Sequence, residues 1–205
     1  MKISTKLAGA AAAALALGLT TQTVRAEGPS YDYLGASYVI NDLGLALDSL
    51  DGFRIEGSVG LTSNIHLIGE WLDTSGKPFA GDPKLEFESY RVALGYNHAL
   101  TTTTDFVTRV GYGKIKVKES GLGSLSDSGY NLEALVRMMI NDQFELSLGG
   151  LYEDVGGDLQ DEARLTAGFV YTFAQGVAVR GGVESGSADT LVDLGVRWNF
   201  GGFRR

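Results

Sequence analysis

The sequence holds only two histidines, His66 and His98, and no cysteine. Hydrolysis or acyl transfer needs a positioned base, usually histidine, within hydrogen-bond reach of a nucleophile. No Ser/Asp pattern of that kind accompanies either histidine. His66 opens an apolar segment and His98 lies in a polar turn, so both are expected as interfacial polar residues. The Gly111-Tyr112-Gly113 and Gly121-Leu122-Gly123 pairs lack the third glycine and the strand-to-helix context of a phosphate loop. Glu153, Asp154, Asp158, Asp161 and Glu162 crowd one segment. They could bridge divalent cations to anionic lipopolysaccharide, but a solvated acidic loop is the simpler reading. No catalytic residue, cofactor or resident metal is expected.

The chemistry that remains is ionic. Arg54, Arg91, Arg109, Arg137, Arg164, Arg180 and Arg197 recur along the chain, with Glu56, Glu70, Asp105, Glu133, Glu145, Glu153, Glu184 and Asp193 between them. Arginine presents a planar fork of donors that matches a carboxylate. A near-balance of sign suits mutual pairing, whereas an ion-selective pore favours rings of one charge.

These residues need elements to hold them, and the sequence supplies a period of two. We read strands over 30–41, 52–62, 65–74, 85–97, 104–116, 128–140, 144–154, 163–173, 177–185 and 190–200. Pro29, Pro78 and Pro83 all fall outside these segments, as ladder bonding requires. Short polar turns follow the even strands and longer Gly/Asp/Ser-rich loops, at 41–51, 75–84, 117–127, 155–162 and 186–189, follow the odd ones. Both termini then share the short-turn end, which forces an even count.

Each strand has one apolar face and one mixed face. In the sixth, Tyr130, Leu132, Ala134, Val136, Met138 and Ile140 alternate with Asn131, Glu133, Leu135, Arg137 and Met139. A soluble sandwich would put the apolar face inside, and a membrane barrel reverses the faces. Two features favour the barrel. The charged faces also carry Gly35, Ser37, Ser58, Gly60, Gly95, Gly111, Gly113, Ser147, Gly149, Gly168, Gly182 and Gly195. Glycines weaken a strand, but they leave room in a narrow lumen for long side chains opposite. The aromatics of the apolar faces also sort by height. Tyr38, Phe53, Trp71, Tyr112, Tyr130 and Tyr152 fall toward the long loops; Tyr96, Phe106, Phe144, Tyr171, Phe173, Trp198 and Phe200 fall toward the short turns. Two aromatic girdles around an aliphatic band are what a lipid-facing wall presents.

The N-terminus reads as an export signal, residues 1–26. Lys2 and Lys6 precede an apolar run, and Val24-Arg25-Ala26 supplies a small-residue cleavage pattern. The run is shorter than the roughly 20 residues a spanning helix needs. Removing the segment takes Lys2, Lys6 and Arg25 with it, so residues 27–205 are more acidic than the whole chain at −8. Such a charge argues against nucleic acid as a partner.

Asp193 to Phe200 reads D-L-G-V-R-W-N-F. With Gly195, Trp198 and Phe200 in place, it resembles the C-terminal assembly signal of bacterial outer-membrane barrels, although five residues follow it here. Tyr31-Asp32-Tyr33-Leu34 resembles the opening strand of small barrels, and the whole architecture resembles the OmpA/OmpX/opacity-type superfamily. The fold expected is therefore all-β: one closed antiparallel up-and-down transmembrane barrel over residues 27–205, with ten strands and eight as the alternative. The resemblance implies residence in the bacterial outer membrane. Implied partners are outer-membrane lipid and lipopolysaccharide, with the barrel assembly machinery and periplasmic chaperones during biogenesis. It also implies a non-enzymatic role in envelope integrity or surface interaction. A narrow porin and a lipid-modifying enzyme remain as alternatives.

Overall fold

The computed structural model of the chain describes residues 28–44, 48–77, 82–121, 123–154, 161–187 and 189–200. The expected signal segment, residue 158 and the last five residues lie outside these. The strands are β1 (Tyr33–Asp42), β2 (Leu50–Gly60), β3 (Ile65–Gly76), β4 (Leu85–Ala99), β5 (Thr104–Glu119), β6 (Gly123–Met139), β7 (Phe144–Asp154), β8 (Glu162–Thr172), β9 (Val177–Ser185) and β10 (Thr190–Asn199). Each pairs antiparallel with its neighbour, and β1 pairs with β10 from Tyr33↔Asn199 to Asp42↔Thr190, closing the barrel. Closure leaves no strand edge unpaired, the condition for crossing a bilayer with strands. Among the described residues no helix is long and apolar enough to cross a membrane.

The short turns are built from side chains that imitate backbone. Thr62 Oγ1 accepts from the amides of Asn64 and Ile65. Asn141 Oδ1 accepts from those of Gln143 and Phe144. Such local bonds favour turns over strand continuation. One turn of 3-10 helix, Ala174–Gly176, joins β8 to β9, with Gln175 and Gly176 at positive φ.

Two regions depart most from the expectation. β1 begins at Tyr33: Ser30 and Tyr31 turn inward, and Asp32 keeps a carbonyl bond to the Phe200 amide. The expected loop at 117–127 is largely a continuation of the β5–β6 hairpin, paired out to Glu119↔Gly123. Its reversal uses Gly121 and Gly123, both at positive φ. Ile115, Val117 and Leu125 keep the inward parity there, while lysines and serines take the outward positions.

The faces are reversed relative to a soluble protein. Arg137 is 3 % exposed, and its neighbour Val136 is 38 % exposed. Leu132, Leu148 and Tyr130 are more exposed still, at 52, 66 and 69 %. An apolar band running round the whole molecule exceeds any patch a soluble monomer tolerates. It requires lipid against it.

Candidate functional site

The lumen holds the ionic side chains, and β2 supplies its hub. Arg54 lies 2.7 Å from Glu184, 3.1 Å from Asp193 and 3.8 Å from Glu70. Arg91 adds Glu70 at 3.0 Å and Glu153 at 3.6 Å. Arg180 adds Glu56 at 2.8 Å and Asp193 at 3.2 Å. These contacts join β2 to β3 and β4 on one side, to β9 and β10 on the other, and reach β7. They form a belt across the barrel. Below it, Arg109 meets Glu133 and Arg137 meets Glu145, each at 2.7 Å. Above it, Arg164 reaches Asp189 at 2.7 Å, Glu162, and Glu153 at 3.9 Å.

All seven sequence-identified arginines and all eight acids point inward, but two stand outside the ion pairs. Asp105 accepts a hydrogen bond from the Tyr31 hydroxyl at 2.8 Å. Arg197 donates to the Ser30 carbonyl at 2.8 Å and to Asn199 at 2.7 Å, with its guanidinium 3.8 Å from the Tyr33 ring centroid. Backbone carbonyl and aromatic faces have replaced the expected carboxylate. Glu162 and Asp189 join the network without having been expected in it, because both sit at strand ends that read as loop. Glu162 reaches Arg164 from two residues away on β8, whereas Asp189 comes to it from the turn before β10.

The lumen glycines have neighbours that explain them. A Cβ at Gly95 would run into the His66 ring, one at Gly111 into Ala93 and Asn131, and one at Gly182 would crowd Asp193.

Residues 28–32 close the short-turn end. The Ser30 carbonyl accepts from Arg137 at 3.1 Å as well as from Arg197. Asp32 accepts from the Gly60 amide at 2.7 Å through its carboxylate and from the Phe200 amide at 3.1 Å through its carbonyl. The Tyr31 ring lies 4.6 Å from the His66 ring and 4.6 Å from the Arg137 guanidinium. Burial pushes the Tyr31 phenol up, so the hydroxyl stays protonated and donates to Asp105. His66 is thus not the interfacial residue expected: it is fully buried in the lumen, because β3 turns that face inward. His98 is exposed on the outward face at the end of β4.

Two cavities flank the belt, and both border Arg54, Glu70, Arg91 and Glu184. The one toward the long loops holds about 260 Å³ and mixes Leu72, Phe87 and Leu191 with Glu153, Glu162 and Asp189. Val39 joins Leu72 and Leu191 in a small apolar cluster there, with Phe87 against it. The one toward the short turns holds about 130 Å³ and is lined by Tyr33, Glu56, Arg109, Glu133 and Glu145 among others. Among the described residues no three His, Asp or Glu side chains are placed to hold a metal ion. The acidic segment finds other partners: Glu153 and Glu162 face Arg164, and Asp161 accepts from the Tyr152 hydroxyl. Asp158 lies outside the described residues.

Residues 10–173 match the family model described as outer membrane protein β-barrel domain. The chain belongs to this outer-membrane β-barrel family. No curated protein matches the sequence. Among solved structures, the KdgM porin in complex with disordered oligogalacturonate is similar at TM-score 0.51 and 13 % identity, covering 82 % of this chain and 99 % of that one. The attachment invasion locus protein Ail of Yersinia pestis gives 0.43 and 16 %, covering 84 % and 99 %. Neisserial surface protein A gives 0.43 and 15 %, covering 83 % and 98 %.

Residence of this outer-membrane barrel in the bacterial outer membrane agrees with its outer wall. Tyr38, Phe53, Trp71, Tyr112, Tyr130 and Tyr152 face outward near the long loops, and Tyr90 joins them. Tyr96, Phe106, Phe144, Tyr171, Phe173, Trp198 and Phe200 lie toward the short turns. Trp198 and Phe200 bring their rings 5.6 Å apart on the outward side, while Gly195 faces the lumen against Ser37. Gly195 and Trp198 of the expected assembly signal therefore lie on the strand that closes the barrel, and Phe200 directly follows it.

Proposed function

We propose that this outer-membrane barrel is a closed, non-enzymatic wall protein that serves envelope integrity or surface contact through its long loops. In this reading residues 1–26 are removed on export, and the short turns with residues 28–32 face the periplasm. The belt centred on Arg54 carries the proposal, because it ties opposite sides of the lumen together. Residues 28–32 add a second barrier at the periplasmic mouth. The absence of catalysis rests on the histidines: one is locked against Tyr31 and the other faces outward. Lipid and lipopolysaccharide would surround the wall, and the assembly machinery and periplasmic chaperones would handle the chain before insertion.

A narrow porin is the second reading. The 260 Å³ cavity toward the loops favours it, as does the likeness in fold to a porin. Planar-bilayer recording separates the two. A closed wall gives no reproducible conductance step, and combining Tyr31→Ala with Arg54→Ala introduces one. A reproducible step from the unaltered barrel overturns the closed reading in favour of the porin. Lipid A chain composition, unchanged when the barrel is overproduced, tests the lipid-modifying alternative.

A further inference from the structure

Between residues 28 and 200, arginine and lysine do not mix. Every arginine there faces the lumen, while Lys77, Lys84, Lys114, Lys116 and Lys118 are all exposed at the long-loop end between β3 and β5. Lys114, Lys116 and Lys118 occupy alternate positions of β5 and so form one outward column. At roughly 3.4 Å per residue the column spans about 14 Å. It rises directly from Tyr112, whose partner across to β6 is Tyr130. Rings of this kind sit at headgroup level, which places the lysines in the polar zone just beyond the acyl chains.

The neighbours of the column are specific. On β6, Ser128, Ser126 and Ser124 stand opposite Lys114, Lys116 and Lys118. On β4 the opposite residues are Tyr90, Glu88 and Glu86. Those two glutamates already have partners: Glu86 accepts from Lys84 at 3.2 Å and Lys118 at 3.3 Å, and Glu88 accepts from Trp71 at 3.3 Å and from Tyr90. Lys114 and Lys116 form no ion pair among the described residues. Elsewhere the outward positions at this end carry Asp42, Asp51, Asp73 and Asp154. One basic column thus stands on an otherwise acidic rim.

We propose that this column, with the facing serines, docks the phosphorylated headgroup of lipopolysaccharide. A lipid A phosphate sits at the level of Lys114 and Ser128, and the acidic core sugars follow at Lys116 and Lys118. Lysine suits such a ligand, since its flexible stem lies along apolar wall while the ammonium reaches for a charge whose position is not fixed. Serine hydroxyls supply donors beside it. This docking rests on the proposed orientation, with the long loops outward, and is independent of whether the lumen conducts.

The test uses the folded barrel in neutral detergent, titrated with bisphosphorylated lipid A, with the same lipid stripped of its phosphates, and with phosphatidylglycerol. Binding is followed by NMR shifts of the β5 and β6 amides. Saturable shifts confined to 112–118 and 124–130 are expected with the phosphorylated lipid alone, weakening as salt rises. Replacing Lys114, Lys116 and Lys118 by Gln should lower affinity about ten-fold or more, while Lys77→Gln leaves it unchanged. Equal binding of dephosphorylated lipid or phosphatidylglycerol, or no binding at all, overturns the proposal, and these arms need no variant. Undiminished binding by the triple variant, with heat-modifiable migration intact, overturns it too.

Discussion

Arg137 and Lys116 carry the same charge on adjacent strands of one barrel, yet their surroundings differ completely. Arg137 is 3 % exposed, 2.7 Å from Glu145, bonded to the Ser30 carbonyl and stacked on Tyr31. Lys116 is exposed and forms no ion pair among the described residues. Placement extends the contrast: every described arginine faces the lumen and every described lysine is exposed, although Lys84 and Lys118 share Glu86. Inside a narrow lumen a charge survives only with fixed partners, and the planar guanidinium can satisfy several at once. On the rim, water and headgroups serve the charge, and the flexible ammonium is the better choice. Residue type therefore reports which side of the wall a cation occupies.

The largest break in this contrast comes from removing the hub. Arg54→Ala leaves Glu70, Glu184 and Asp193 each short of a partner, and should cost about 3–5 kcal/mol. Urea unfolding followed by heat-modifiable migration measures it. Lys77→Ala, at an exposed position beyond the lumen, should leave the midpoint where it was; equal midpoints for the two variants would remove the paired core from the account.

Next comes a charge on the wrong face. Leu148 is 66 % exposed and lies midway along β7 between Phe144 and Tyr152. Leu148→Arg should destabilise the inserted barrel by about 2–4 kcal/mol, the penalty for arginine at the bilayer midplane. A smaller loss would mean this position is not in lipid. A subtler test addresses lumen space. Gly95→Ala pushes a methyl into the His66 ring, an overpacking worth about 1–3 kcal/mol. Adding His66→Ala should recover part of that loss, and a double-mutant cycle with no coupling would contradict the contact. Smallest of all, Lys116→Gln should leave folding unaltered.

Much of this is legible in the sequence because the period of two is strict. The ten strands, the inward parity of the arginines and acids, and the two girdles follow from alternation alone. The outer β5–β6 hairpin escapes for a physical reason. Above the membrane its outward positions need no apolar residues, so beyond Lys116 and Ser128 the outward Lys118, Ser124 and Ser126 weaken the strand pattern until 117–127 reads as loop. The inward Ile115, Val117 and Leu125 are the surviving signal. Tyr31 shows a different limit: its parity matches Gly35 and Ser37, but nothing local indicates that Ser30 and Tyr31 leave the sheet and meet Arg137 and Arg197 from far along the chain. Register around a closed barrel creates that contact, and no local pattern encodes it.

The reversed wall itself is tested most directly by placing an environment-sensitive label at Val136 and, separately, at Glu133, in barrels reconstituted into vesicles. The account predicts that the Val136 label is quenched by a lipid-borne quencher and shielded from a water-soluble one, while the Glu133 label is shielded from the lipid-borne quencher. Water-soluble quenching at Val136 together with lipid quenching at Glu133 would contradict it.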